Sequence, residues 1–301
     1  MEEELIKLLE EKGPLTGAEI VQTLSHDPLL LWRTCKRSSH IAIQTVGQRY
    51  LRLDREVQGF ARLSPSILRE FLTYSVIGLS EDCGSLSKKA QEVDAHIQQV
   101  SDMKLGLAKN IFTAVLNRLE NDSLVREGMC ALLAGDIVYG MAHDVPRPER
   151  STGKLVKGSD MDLVVVVDDG FPKALMERMD EAIYQEKQKV LMTPHLREEI
   201  DYVVKDLARV RKQMGFDTFK HMVACKILQE GMFLSGREDL FRRIKAMLQE
   251  KDITGKLMDM ENRARRRRKK AEHYLLTAEP DRIKHEGLSL FYPTEESQEF
   301  E

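Results

Sequence analysis

Apolar residues first recur at helical spacing in the charged opening stretch, at Leu5, Ile6, Leu8 and Leu9, and Gly13-Pro14 stops the run. Thr16 is placed to cap a second helix over 17–24, with Ile20, Val21 and Leu24 turned inward. Asp27-Pro28 opens a third helix, which carries Trp32, Arg33, Lys36 and Arg37. The period then changes from helical to two. His40–Thr45 and Arg49–Leu53 alternate as strands do, and Val46-Gly47-Gln48 between them predicts a hairpin. Further on, Val93, Ile97, Val100, Leu105, Leu107, Ile111, Val115 and Leu119 predict helix over about 86–126. From residue 129 the pattern becomes mixed: strand Cys130–Ala134, strand Asp162–Val167, helix over about 171–190, strand Ile200–Val204, then more helix.

These elements predict an α+β chain with four segments. Three helices followed by a β-hairpin is the order of a winged helix-turn-helix, expected over 1–80. A helical connector follows over 81–128, then an α/β domain with a small mixed sheet over 129–250. A basic C-terminal helix and an acidic tail complete 251–301. The tail from Glu286 to Glu301 is short of apolar residues and is expected to be loosely held.

Composition narrows the class. A chain of 301 residues with 42% hydrophobic content can build two ordinary cores. The 46 basic and 49 acidic residues nearly cancel, so their distribution matters more than the net charge of -3. Cys35, Cys83, Cys130 and Cys225 are far apart with no CxxC pair, which argues against a zinc site or a disulfide framework and fits a reducing compartment. The charged N-terminus is unlike a signal peptide, and the apolar run Leu163–Val167 is far too short to span a bilayer. The expectation is a cytoplasmic protein with no membrane partner.

The chemistry concentrates in Gly135-Asp136-Ile137-Val138-Tyr139-Gly140 and Gly158-Ser159-Asp160-Met161-Asp162-Leu163. Side chains two apart on a strand share a face, so Asp160 and Asp162 sit together at the start of one. Two such carboxylates repel unless a cation lies between them, and an all-oxygen site suits Mg2+ or Mn2+. Asp201 begins another strand, and a neighbouring strand lies about 4.8 Å away, so Asp201 can join the cluster. Asp168 lies roughly 26 Å beyond Asp160 along an extended strand and must cap the opposite end. Taken alone, an Asp-x-Asp pair is common at solvated strand ends, and a glycine pair is commonly just a turn.

Together, the strand, the Gly-x4-Gly turn, Ser159-Asp160-Met161-Asp162-Leu163 and Ile200-Asp201-Tyr202-Val203 resemble the DNA polymerase β-like nucleotidyltransferase superfamily. The minimal nucleotidyltransferases are the most similar type, and the resemblance covers residues 129–205. It implies that Asp160 and Asp162 hold divalent metal ions, and that Asp201 ligates the catalytic one and helps to deprotonate an acceptor hydroxyl. It implies further that Gly135, Asp136, Gly140 and Ser159 meet the triphosphate of ATP or another NTP, with N–H groups free where a helix opens after Asp136. The implied reaction is in-line attack on an α-phosphate, moving a nucleoside monophosphate, most plausibly AMP, onto a hydroxyl of protein or RNA. The family's second turn residue is usually Ser, where this chain has Asp136. The loop His143–Lys157, with Arg147, Arg150, Lys154 and Lys157, lengthens the interval before Asp160; it can close on phosphates or be a mobile insertion. Minimal nucleotidyltransferases often act beside HEPN toxins, so a toxin or other protein acceptor is an implied partner. The alternative expectation is a non-catalytic DNA-binding regulator or antitoxin-like protein that senses nucleotide or docks a partner.

Basic side chains supply the remaining signals. Arg33, Lys36 and Arg37 line one side of the third helix, and Arg49 lies in the expected wing, as nucleic-acid contacts would require. Such modules also dock proteins, and Trp32 is expected in the core. Arg263–Lys270 holds seven cations in eight residues, which reads either as a nucleic-acid or nucleotide phosphate contact or as a solvated helix lying on acidic surface. Arg268 and His273 match the short Arg-x4-His spacing of the HEPN ribonuclease motif, a match that an arginine-rich run produces by chance. His143 and His195 are expected to be exposed loop residues.

Overall fold

The computed structural model describes residues 1–119, 122–149 and 152–294. Arg150 and residues 295–301 of the acidic tail therefore lie outside the described residues. The chain forms two compact units, 1–52 with 61–97 and 261–301, and 53–60 with 98–260.

The first unit opens with α1 (Glu2–Lys12), β1 (Leu15–Thr16), α2 (Gly17–Leu24) and α3 (Pro28–Arg37). Thr16 caps α2 as expected, accepting from the Glu19 amide while the Glu19 carboxylate accepts from the Thr16 amide. Asp27 caps α3 with Pro28 in its first turn. There follow β2 (Ile41–Thr45), β3 (Tyr50–Leu53), β4 (Ala61–Ser64), α4 (Ile67–Thr73), β5 (Ser75–Leu79) and α5 (Cys83–Arg118), whose residues to Ile97 count with this unit.

The expected hairpin is not formed: β2 pairs antiparallel with β5, giving the order β1-β5-β2, and β3 pairs with β4. Tertiary contacts set this pairing. The Val46 amide donates to the Tyr74 carbonyl, carrying the β2 chain onward beside β5 rather than into a tight turn. Arg49 is meanwhile drawn to Glu70 on α4.

The second unit takes the rest of α5, then α6 (Asp122–Gly128), β6 (Met129–Ala134), a 3-10 turn (Asp136–Tyr139), β7 (Pro146–Pro148), β8 (Leu155–Lys157), β9 (Met161–Val167), α7 (Lys173–Met192) and β10 (Ile200–Asp206). It closes with α8 (Leu207–Gln213), α9 (Phe219–Glu230), β11 (Met232–Gly236), α10 (Glu238–Glu250) and the first residues of α11 (Ile253–Thr277). Its mixed sheet has the order β10-β9-β6-β11, with β10 parallel to β9 and the other pairs antiparallel. The run of buried residues in β6 and β9 reflects a sheet covered on both faces. Phe112, Leu116, Met179 and Ile183 of α5 and α7 pack on Ala131, Val165 and Val167, and Val100, Ile111 and Ile137 pack on Leu133, Met161 and Leu163 further along the same face. The insertion between His143 and Lys157 is not a loose loop: β7 and β8 pair within it.

The C-terminal segment departs from expectation. Residues from Glu261 onward count with the first unit, and α12 (Pro280–Glu286) and α13 (Leu288–Phe291) pack there. Leu275, Ile283 and Phe291 are buried among Leu5, Ile20, Trp32 and Phe71, and the Phe291 and Trp32 rings stand 5.8 Å apart. Trp32 is a core residue, as expected. The tail as far as Phe291 is thus held, because a single aromatic ring buries enough area to fix a short helix. Among the described residues, no helix is long and apolar enough to cross a membrane.

Candidate metal centre

Strand register brings the acids together. Asp162 on β9 lies directly opposite Asp201 on the parallel β10, and opposite Ala134 on the other side. Asp160 is two residues before Asp162 and so shares its face. Carboxylate oxygens of Asp160, Asp162 and Asp201 lie within 4.8 Å of one another. Gly135 follows β6 with φ 80, and a Cβ there would stand 2.4 Å from Asp162 Oδ2, so the turn leaves room for the carboxylate and little else.

Two cations flank Asp160 and Asp201. Arg147, from β7, sits 3.9 Å from Asp160 Oδ2 but makes its close ion pair, 2.8 Å, with Glu199. Lys187 of α7 reaches Asp201 Oδ1 at 3.4 Å. Three converging carboxylates, all of them oxygen donors, fit a hard divalent cation.

Glu199 is an acid that sequence reasoning missed. It precedes β10 and is buried, which raises its pKa; Arg147 opposes that shift, and the nearby Asp160 and Asp201 add to it. Its spacing of two from Asp201 repeats that of Asp160 from Asp162, and that was the available signal. Behind it Lys104 of α5, itself buried, bonds to Glu198 and donates to the Lys157 carbonyl at 2.7 Å, fixing the end of β8.

The residues expected around a triphosphate are placed differently from one another. Ser159 is buried; its hydroxyl donates to Asp136 Oδ2 at 2.8 Å and accepts from the His143 amide at 3.2 Å. The Gly135 amide faces Glu230 Oε1 at 3.4 Å. Gly140, with φ 64, packs on Gln98, whose amide donates to the Gly140 carbonyl at 3.1 Å. Asp136 opens a four-residue 3-10 turn rather than an α-helix; the Val138 amide donates to the Gly135 carbonyl and the Gly140 amide to that of Ile137. His143 is buried rather than exposed, because its backbone clasps Ser159 through a second bond of 3.0 Å, whereas His195 is exposed. Lys157 donates to the His195 carbonyl. At the far end of β9, Asp168 pairs with Arg237 at 2.7 Å, as its distance along the strand required.

The residues expected to meet nucleic acid are not gathered on one outward face. Arg33 is buried and donates to the Ala278 carbonyl at 2.8 Å; Arg37 donates to that of Leu276. Arg49 is bound to Glu70 at 2.6 Å and to Glu272 at 3.0 Å. Lys36 stays exposed. In the basic run, Arg268 is buried and donates to the Pro65 carbonyl and to Glu272, while His273 is exposed, so the Arg-x4-His pair does not converge. Comparison with family models, with curated proteins and with solved structures returns no match.

Proposed function

We infer that this chain is a metal-dependent nucleotidyltransferase of the DNA polymerase β-like type, moving a nucleoside monophosphate, AMP foremost, from a triphosphate to a hydroxyl of protein or RNA. One observation carries this reading: three carboxylates from two adjacent parallel strands converge within 4.8 Å under a glycine bend. Asp160, Asp162 and Asp201 would hold Mg2+ or Mn2+, which supplies charge neutralisation at the reacting phosphate. Asp201, about half exposed on the sheet's edge strand, takes the acceptor's proton. The acceptor oxygen bonds to the α-phosphorus as the α–β bridging bond breaks, and pyrophosphate leaves with the electron pair. Arg147 and Lys104 hold the β7–β8 hairpin and the segment entering β10, so the carboxylates are set before substrate arrives.

The first unit supports a winged-helix reading in its order of α1, β1, α2 and α3 against a β1-β5-β2 sheet. Residues 46–74 are then an insertion between the two wing strands.

A second reading has an observation of its own. The Ser159 hydroxyl and the Gly135 amide both face acids of this chain, Asp136 and Glu230, where a triphosphate would need donors. That favours a regulator whose centre holds a cation without transferring anything. Incubation with α-labelled ATP, Mg2+ and candidate protein or RNA acceptors separates the two. The enzyme reading requires metal-dependent label transfer and pyrophosphate release, both abolished by Asp160→Ala plus Asp162→Ala. Inert wild-type protein across the acceptors supports the regulator.

A further inference from the structure

The run Arg263–Lys270 is not uniformly solvated, and the way α11 divides it points to a binding surface independent of the carboxylate centre. A helix turns about 100° per residue. Ala264 and Arg268 fall on the buried side, where Arg268 is bound to Pro65, Glu70 and Glu272. Arg265, beside them, is bound to Glu261 and to the Arg49 carbonyl. Arg263, Arg266, Lys269 and Lys270 lie on the opposite arc; all four are exposed, and they have no partner among the described residues.

Of the nearest acids along the helix, Glu261 and Glu272 are already engaged by Arg265, Arg268 and Arg49. Asp259, one turn before Arg263 and also exposed, offsets at most one of the four charges. Pairing of Arg265 and Arg268 therefore consumes the counter-charge of Glu261 and Glu272 and leaves four cations concentrated on one face. Asn262 and His273, the other exposed residues near this arc, are polar. Ala264 and Leu275 are buried, Ala271, Tyr274 and Leu276 pack on the first unit's core, and Met258 stands alone as an exposed apolar residue, so the helix has no apolar face to lay into a bilayer. A phosphodiester backbone asks for charge and donors alone, and arginine's fork suits its phosphates. From Arg263 to Lys270 the helix advances roughly 10 Å, the axial length of about three nucleotides of one strand.

We propose that the exposed face of α11 formed by Arg263, Arg266, Lys269 and Lys270 binds the phosphate backbone of a nucleic acid without reading its bases. Neutralising phosphates releases counterions, so affinity falls with salt by about 0.9 in logarithmic slope for each duplex phosphate contacted.

The test is fluorescence anisotropy of the full chain with labelled DNA and RNA duplexes of about 20 bp, over ~50 to ~200 mM salt, beside vesicles of phosphatidylcholine and phosphatidylserine. The variant replaces Arg263, Arg266, Lys269 and Lys270 by Gln. Its control replaces four exposed lysines elsewhere, Lys7, Lys12, Lys88 and Lys173, by Gln. We expect wild type and control to bind one or both duplexes, with the variant at least about tenfold weaker at ~100 mM salt and its slope smaller by about 3 to 4. Binding of DNA, RNA or both identifies the source of the backbone. Thermal unfolding of the variant should match wild type, because none of the four side chains holds another residue. Arg266→Gln alone should lower the slope by about 1 and serves if the fourfold variant is unstable. The proposal is overturned if wild type binds neither duplex, if it binds vesicles alone, if the variants bind like wild type, or if the control loses as much.

Discussion

Asp162 stands where three strands meet, opposite Asp201 on β10 and Ala134 on β6, and its placement needs nothing beyond register and the absence of a side chain at Gly135. Lys205, four residues beyond Asp201 on the same strand, illustrates the opposite problem. It is 2% exposed and its ammonium group is bonded to Gln213 Oε1 at 3.0 Å. Burial, with the Arg209 guanidinium adding to it, pushes its pKa down to about 8. Between that value and the ordinary 10.5 the unfolded chain carries a proton that the folded chain lacks, so stability rises with pH across this window. Below about 8 the cost of the buried charge is fully present. Lys205→Met should therefore be more stable than wild type by on the order of 2 kcal/mol near neutral pH, with the advantage shrinking as pH climbs through 8 towards 10.5. Denaturant titrations across that range check the trend, and a difference that stays constant with pH contradicts it.

At the scale of elements, the readable parts were those whose signal is local. Thr16 and Asp27 announce α2 and α3 because a cap needs a residue only three positions away. The apolar run of β9 announces itself through its branched side chains. Partner choice is not local. Nothing within Ile41–Leu53 says that β2 will pass over β3 and pair with Ser75–Leu79. Met232–Gly236 has no clean alternation, and each of its residues is only partly buried, so β11 was not foreseen. The inward turn of Arg33, Arg49 and Arg268 was equally hidden, since each long side chain is decided by a carboxylate or carbonyl distant in sequence. The C-terminal helices carry a consequence for stability. With Leu275, Ile283 and Phe291 removed, the core around Leu5, Trp32 and Phe71 would be left open to water. A chain ended at Met260 should lose amide-exchange protection throughout residues 1–80 while the β6–β9–β10 strands keep theirs. Protection of α1–α3 equal to that of the full chain would contradict this.

For the whole molecule, the two α+β units have different standing in the functional account. The site residues legible in sequence, Asp160, Asp162 and Asp201, all belong to the second unit, where a spacing of two and a parallel neighbour suffice to bring them together. Glu199 and the Arg147 pairing depend on how the β7–β8 hairpin folds back, which no short motif encodes. The phosphate-side expectations at Gly135, Asp136, Gly140 and Ser159 came from family resemblance, and here those groups contact one another, Glu230 and Gln98. Cation binding is thus the property on which any transfer depends. Its direct measurement is Mn2+ titration of the full chain by electron paramagnetic resonance, wild type beside Asp162→Asn. The account predicts saturable loss of the free-ion signal for wild type, competition by Mg2+, and affinity at least about tenfold lower in the variant, since one of three charged ligands is lost. Wild-type protein that leaves the free Mn2+ signal unchanged, or a variant that binds as tightly, would contradict it.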